Sequence, residues 1–167
     1  MNRSIRMQVD RETGLLKEAV YCPSPHCDPR PEGALIDLIV VHGISLPPGE
    51  FGSSAIEAFF CGKLDMASHP YYLQIAHLKV SSHLLIKRTG EIIQFVPFNQ
   101  RAFHAGESSF QGRSRCNDFS VGIELEGTDE IPYTPSQYDQ LAKTIDALRR
   151  AYPAIRAAYG LGHARRH

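Results

Sequence analysis

Apolar and polar positions along the chain predict a mixture of short strands and two helices. Leu35–Val41 is a short β-branched and apolar run, the pattern of a strand buried on both faces. Val80–Lys87 and Glu91–Val96 flank Thr89-Gly90 and predict two strands joined by a turn. Phe119–Glu126 reads F-S-V-G-I-E-L-E, an alternation that predicts a strand with one buried face. Ile5–Val9 and Leu15–Tyr21 flank Asp10–Gly14 and predict a hairpin with Gly14 at positive φ. Ser53 or Ser54 can cap a short helix over Ala55–Cys61 that places Ile56, Phe59 and Phe60 on one side and ends at Gly62. Thr134-Pro135-Ser136-Gln137 is a capping box with proline at the first helical position. It opens a helix to about Tyr152, with Tyr138, Leu141, Ala142, Ile145 and Leu148 on the expected core face. Ile155–Tyr159 begins a last strand or a short helix. Cys22–Gly33 is a Pro-rich connector, Lys63–Ile75 is irregular, and Asn99–Asp118 reads as a loop of about 20 residues, a length usually functional or disordered. The expectation is one α/β domain over residues 1–167, with an N-terminal hairpin and connector over 1–33.

Composition narrows the partners. The 167 residues are 43% hydrophobic and 22% charged, as in an ordinary globular domain. Lys+Arg and Asp+Glu are 18 each, so the basic excess of a nucleic-acid or anionic-membrane binder is absent. Arg3 and Arg6 precede no apolar segment, and no apolar run approaches the ~20 residues of a membrane span. The expected location is the cytoplasm, where Cys22, Cys27, Cys61 and Cys116 would be reduced thiols. Cys22-x4-Cys27 with His26 has the ingredients of a metal loop, but Pro23, Pro25 and Pro29 make it a stiff extended segment.

Eight histidines leave several candidates for chemistry. His26, His69 and His77 fall in connectors, and His83 falls inside a predicted strand as a satisfied core or edge residue. His42, His104 and His163 sit at a strand end or in Gly-flanked loops, where a site can be approached. His42 follows the buried strand Leu35–Val41 and precedes a loop broken by Pro47, Pro48, Gly49 and Gly52. An imidazole there can bind a metal, move a proton, or simply cap the strand. Glu124 and Glu126 alternate with apolar residues and so share a face. Such acids either face water on an edge strand or are buried for a purpose. A strand-end histidine, a second Gly-His and a strand glutamate together suggest a metal-assisted hydrolase.

Five segments carry a more specific likeness: V-V-H-G-I-S-L-P-P-G-E-F-G (Val40–Gly52), I-A-H-L-K-V-S-S-H (Ile75–His83), G-E-I-I-Q-F-V-P-F (Gly90–Phe98), R-A-F-H-A-G (Arg101–Gly106) and R-C-N-D-F-S-V-G-I-E-L-E-G-T-D (Arg115–Asp129). In order and spacing, from about Pro23 to His163, they resemble the AmpD-type zinc amidases. These are cytoplasmic N-acetylmuramoyl-L-alanine amidases of the amidase-2 and peptidoglycan-recognition fold. The resemblance implies a central mixed β-sheet flanked by helices and one zinc ion held by two histidines and an aspartate. It places the first ligand on His42, the second on His163, and the carboxylate that activates water on Glu124. It implies a substrate carrying 1,6-anhydro-N-acetylmuramic acid on a short stem peptide, cut between the lactyl group and L-alanine in cell-wall recycling. Phe103, His104 and Arg115 are the implied substrate contacts, and a monomer is expected.

The sequence also departs from that pattern. The family continues after Gly-His with a lysine and then the aspartate ligand, whereas His163 here is followed by Ala164-Arg165-Arg166-His167. The expectation is therefore a C-terminally incomplete amidase with weak zinc affinity and little activity, in which His167, four residues beyond His163, substitutes as a ligand only if the tail is helical. Gly43, Phe103 and Lys79 stand where the family commonly has asparagine, tryptophan and arginine, changes that alter affinity more than chemistry. The alternative is a muropeptide-recognition module of the same fold without hydrolysis. Retention of His42, His163 and Glu124 argues against it, because a pure binder has no use for a general base.

Overall fold

The structure, a computed structural model, describes residues 6–160. Its centre is a six-stranded mixed sheet built from β1 (Val20–Tyr21), β2 (Leu38–Ile44), β3 (Leu84–Ile86), β4 (Ile92–Gln94), β5 (Ser120–Glu126) and β6 (Ala157–Gly160). The spatial order is β6-β2-β5-β3-β4-β1. The first four strands in that order run parallel, β4 turns back antiparallel to β3, and β1 adds parallel to β4. Three helices, α1 (Ala55–Phe60), α2 (Tyr72–Ile75) and α3 (Pro135–Ala151), complete the mixed α/β architecture expected from the sequence.

Two strands differ from their predicted form in ways that matter for the site. β2 begins three residues later than the apolar run and continues through His42 to Ile44. It does so because β5 pairs with it residue for residue, from Ser120 opposite Leu38 to Glu126 opposite Ile44. Leu35 stays outside, 68% exposed. His42 is therefore inside a strand rather than beyond its end. β5 is central, between β2 and β3, and all seven of its residues are buried, which overturns the expectation of one wet face. Its alternation separates two kinds of packing. Val121, Ile123 and Leu125 join Leu84, Ile86, Ala147 and Leu148 in the core between sheet and α3. Ser120, Gly122, Glu124 and Glu126 point to the other side, where Ile44, Leu85 and Ile93 pack against α1.

α3 opens on the predicted capping box: Thr134 Oγ1 accepts from Gln137 N–H and Gln137 Oε1 accepts from Thr134 N–H. Its inward stripe is rotated from the expected one. Gln137, Thr144, Ala147, Leu148 and Ala151 are buried, Leu141 and Ile145 are half-buried, and Tyr138 and Ala142 face out. The Gln137 amide sets this rotation by donating to the carbonyls of Ile86 and Glu126 at the ends of β3 and β5. α1 buries Ile56, Phe59 and Phe60 as predicted, and Gly62 follows at φ 70°.

The connector and the long loop are more ordered than their composition suggested. Cys27–Pro29 pairs antiparallel with Gln100–Ala102, Ser109–Phe110 pairs with Arg113–Ser114, and Cys116–Asp118 forms a 3-10 turn. Arg101 bridges Asp28 at 2.6 Å and Asp118 at 2.9 Å. The Arg30 guanidinium donates to the carbonyls of Phe98, Asn117, Asp118 and Ser120, binding connector, loop and β5 together. Burial lowers its pKa to about 10, so it keeps its charge at neutral pH.

Candidate active site

His42 and Glu124 are register partners on adjacent parallel strands, so their side chains leave the sheet on the same face. His42 is 8% exposed and Glu124 1%. The other polar side chains on this face have structural roles through hydrogen bonds. Glu126, two residues on, has such a role: its carboxylate accepts from Gly52 N–H and Arg88 N–H and so fixes the Pro-Gly loop and the β3–β4 turn. Of the two acids on this face, Glu124 is the one in register with His42.

Beneath His42 lies His104. His42 Nε2 is 3.0 Å from His104 Nδ1, and the rings meet edge to face at 5.3 Å between centroids. His104 Nε2 is 3.0 Å from Ser120 Oγ, whose hydroxyl donates to the Cys116 carbonyl. The His104 backbone is held by Asn117 Oδ1, which accepts from the N–H groups of His104 and Ala105. Gly122 forms the floor: a Cβ there would lie 2.4 Å from His104 Cγ. A glycine inside a strand often marks such a close approach, the one signal by which the sequence could have announced this packing. Ser120 and Arg30 gave no such signal.

A cleft of about 410 Å³ opens beside this row, lined by His42, Gly43, Asp129, Tyr133, Tyr138 and Gly160 among others. The three residues expected as substrate contacts are dispersed. None of the three lines this cleft; His104 is 6% exposed and turned inward under His42, its ring engaged by protein atoms on both nitrogens. Phe103 is half-buried, with Arg101 stacked 5.5 Å over its ring, and Arg115 is exposed at φ 60°. His163 and His167 lie outside the described residues. β6 ends at Gly160, opposite Val41, so the described chain stops on the edge strand beside His42.

His83 is the satisfied core histidine its position suggested. Its Nδ1 accepts from Gly122 N–H and its Nε2–H donates to the Gln100 carbonyl. Burial, with the Arg30 charge nearby, pushes its pKa down to about 3, which keeps the ring neutral.

No three His, Cys, Asp or Glu side chains form a metal site among the described residues. Zinc chemistry is nonetheless compatible with what they supply. His42 is an imidazole held rigidly in mid-strand at the cleft, with one ring nitrogen braced by a neighbour, as metal-ligating histidines are.

A mixed sheet with a histidine at an open cleft and a buried glutamate in register with it is compatible with a hydrolase, and the sequence comparisons specify the family. A family model described as N-acetylmuramoyl-L-alanine amidase matches residues 32–167, and the chain belongs to that family. It is 60% identical over 144 residues to the 1,6-anhydro-N-acetylmuramyl-L-alanine amidase AmpD of Citrobacter freundii, covering 86% of this chain and 77% of the relative. Identity to the AmpD of Escherichia coli K12 is 58% over 144 residues, covering 86% and 79%. A crystal structure of an AmpD derivative superposes with a TM-score of 0.89 at 57% identity, covering 92% of this chain and 86% of that one.

Proposed function

We propose that the protein hydrolyses the amide between 1,6-anhydro-N-acetylmuramic acid and L-alanine in muropeptides, using zinc, in cytoplasmic cell-wall recycling. The observation that carries this reading is the register pairing of the buried Glu124 with His42, which itself lines a cleft. That pairing occurs in a chain 60% identical to an AmpD amidase. Glu124 is the general base: it accepts the proton of the attacking water and returns it to the leaving amine of L-alanine. Its burial between β2 and β3 excludes bulk water and keeps the carboxylate aligned. His42 and His163 would hold the zinc, which when bound polarises the scissile carbonyl and lowers the pKa of water to about 7. Phe103 and Arg115 are the remaining candidate substrate contacts, the arginine suited to a stem-peptide carboxylate. The working unit is a monomer acting on a soluble muropeptide.

The test is release of the stem peptide from a synthetic anhydromuramyl-L-Ala peptide by the purified protein with added zinc. Slow release by the wild type is expected, in keeping with the weak zinc affinity expected above, and Glu124→Gln should be about 10²–10⁴-fold slower still with its circular dichroism unchanged. Peptide binding without release by the wild type would overturn the amidase and identify a recognition module. Equal rates for the two proteins would remove Glu124 from the mechanism.

A further inference from the structure

The hydrogen bonds behind His42 have a direction, and it can be read outward from one fixed point. A carbonyl oxygen only accepts, so the single hydroxyl proton of Ser120 lies on the 2.5 Å line from its Oγ to the Cys116 carbonyl. The 3.0 Å contact between Ser120 Oγ and His104 Nε2 must then be supplied with a proton by the histidine. A neutral imidazole carries one N–H, so His104 Nδ1 is an acceptor. The group 3.0 Å from it is His42 Nε2, which therefore carries the proton on His42.

We infer that Ser120 and His104 are positioning residues that set the tautomer of His42, placing its proton on Nε2 and leaving Nδ1 as the nitrogen able to ligate a cation. The consequence for metal binding rests on the amidase reading above; the tautomer itself rests only on the geometry. The ring that transmits the direction is held on three sides. Asn117 Oδ1 fixes its backbone, Ser120 its far nitrogen, and the bare backbone of Gly122 its lower face, where an added Cβ would come within 2.4, 2.6 and 2.7 Å of ring atoms. A histidine ligand free to exchange tautomers spends part of its time with a proton on the ligating nitrogen. Partners that prevent such exchange commonly change metal affinity by about 10–100-fold.

The test reads ring nitrogens directly. Ring ¹⁵N chemical shifts of the metal-free protein are expected to show His42 and His104 both as the Nε2–H tautomer. In Ser120→Ala, His104 loses its acceptor, and both rings are expected to become tautomer mixtures. His104→Gln keeps an oxygen able to accept from His42 and should retain the Nε2–H form of His42, whereas His104→Ala should not. Zinc affinity, measured by competition with a chromophoric chelator, is expected to fall about 10–100-fold in Ser120→Ala and His104→Ala and to be restored in His104→Gln. An Nδ1–H tautomer of His42 in the wild type overturns the inference, as do unchanged His42 shifts in both Ser120→Ala and His104→Ala. Either result leaves the amidase reading standing. Conversely, absent hydrolysis with the Nε2–H tautomer intact supports the inference and counts against the amidase reading alone.

Discussion

Replacing Gly122 with alanine adds one methyl group and removes the seat of His104. The new Cβ would fall 2.4 Å from Cγ, 2.6 Å from Cδ2 and 2.7 Å from Nδ1 of the ring, all too close for real contacts. The floor is sheet backbone and cannot retreat, so the imidazole must move. Overpacking a filled site costs about 1–3 kcal/mol. A displaced ring also loses its bonds to His42 and Ser120, each a net contribution of about 1 kcal/mol. The expected loss is about 2–4 kcal/mol, offset slightly by the better strand propensity of alanine. Urea unfolding followed by tyrosine fluorescence and circular dichroism measures it as a lowered midpoint at unchanged slope. Gly160→Ala supplies the control, since no described residue comes within 4 Å of a Cβ built there and its φ is not left-handed. A destabilisation by Gly122→Ala below about 0.5 kcal/mol, no larger than that of the control, would refute the close seating of His104.

Three further outcomes follow from other parts of the structure. His83 has a folded-state pKa of about 3 against 6.5 for an ordinary imidazole, so the unfolded chain binds its proton more readily and stability falls as pH drops below 6.5. At pH 5 the loss is about 2 kcal/mol, and urea unfolding of His83→Asn should lack that part of the decline between pH 7 and 5; parallel declines would show that His83 does not titrate this way. Arg30→Met withdraws the donor from four carbonyls in a buried setting and should cost about 3 kcal/mol or more, read as a fall in the unfolding midpoint; a loss under 1 kcal/mol would mean water replaces it. Thr134→Ala removes both the cap to Gln137 N–H and the bond to the Arg88 carbonyl, for about 1–2 kcal/mol, while Thr134→Ser should be nearly neutral; equal effects of the two would rule out the hydroxyl as the cause.

Local chemistry was legible in the sequence wherever a feature is made by neighbours along the chain. The capping box at Thr134, the turn at Gly90, the tip of the first hairpin at Gly14 and the stop at Gly62 all form within four or five residues, and all occur. Boundaries set by partners elsewhere were not. The apolar run from Leu35 reads as strand, but it contains Asp37, whose carboxylate takes both terminal nitrogens of Arg113 at 2.7 and 2.8 Å, and pairing with β5 starts after it. Alternation in β5 correctly assigned two faces but could not say that both would be covered, because the cover comes from α3 on one side and distant loops on the other. Family likeness identified His42 and Glu124, and the structure puts them in register. It could not give the inward turn of His104, which depends on a contact spanning 62 residues and on a serine with no signature of its own, though Gly122 inside the strand hinted at a close approach.

The strand that carries His42 depends on neighbours made much later. β2 is among the early elements of the chain, yet its two hydrogen-bonding partners, β5 and β6, come from far downstream, and both lie parallel to it. Parallel pairing across such distances closes large loops before it gains contacts, so these steps are slow. During synthesis β2 exists first as an apolar segment with both edges open, the condition under which nascent chains associate wrongly. The face that carries His42 and Glu124 is thus completed only after β5 and β6 have emerged, and the early part of the chain has the greatest need of protection while it waits.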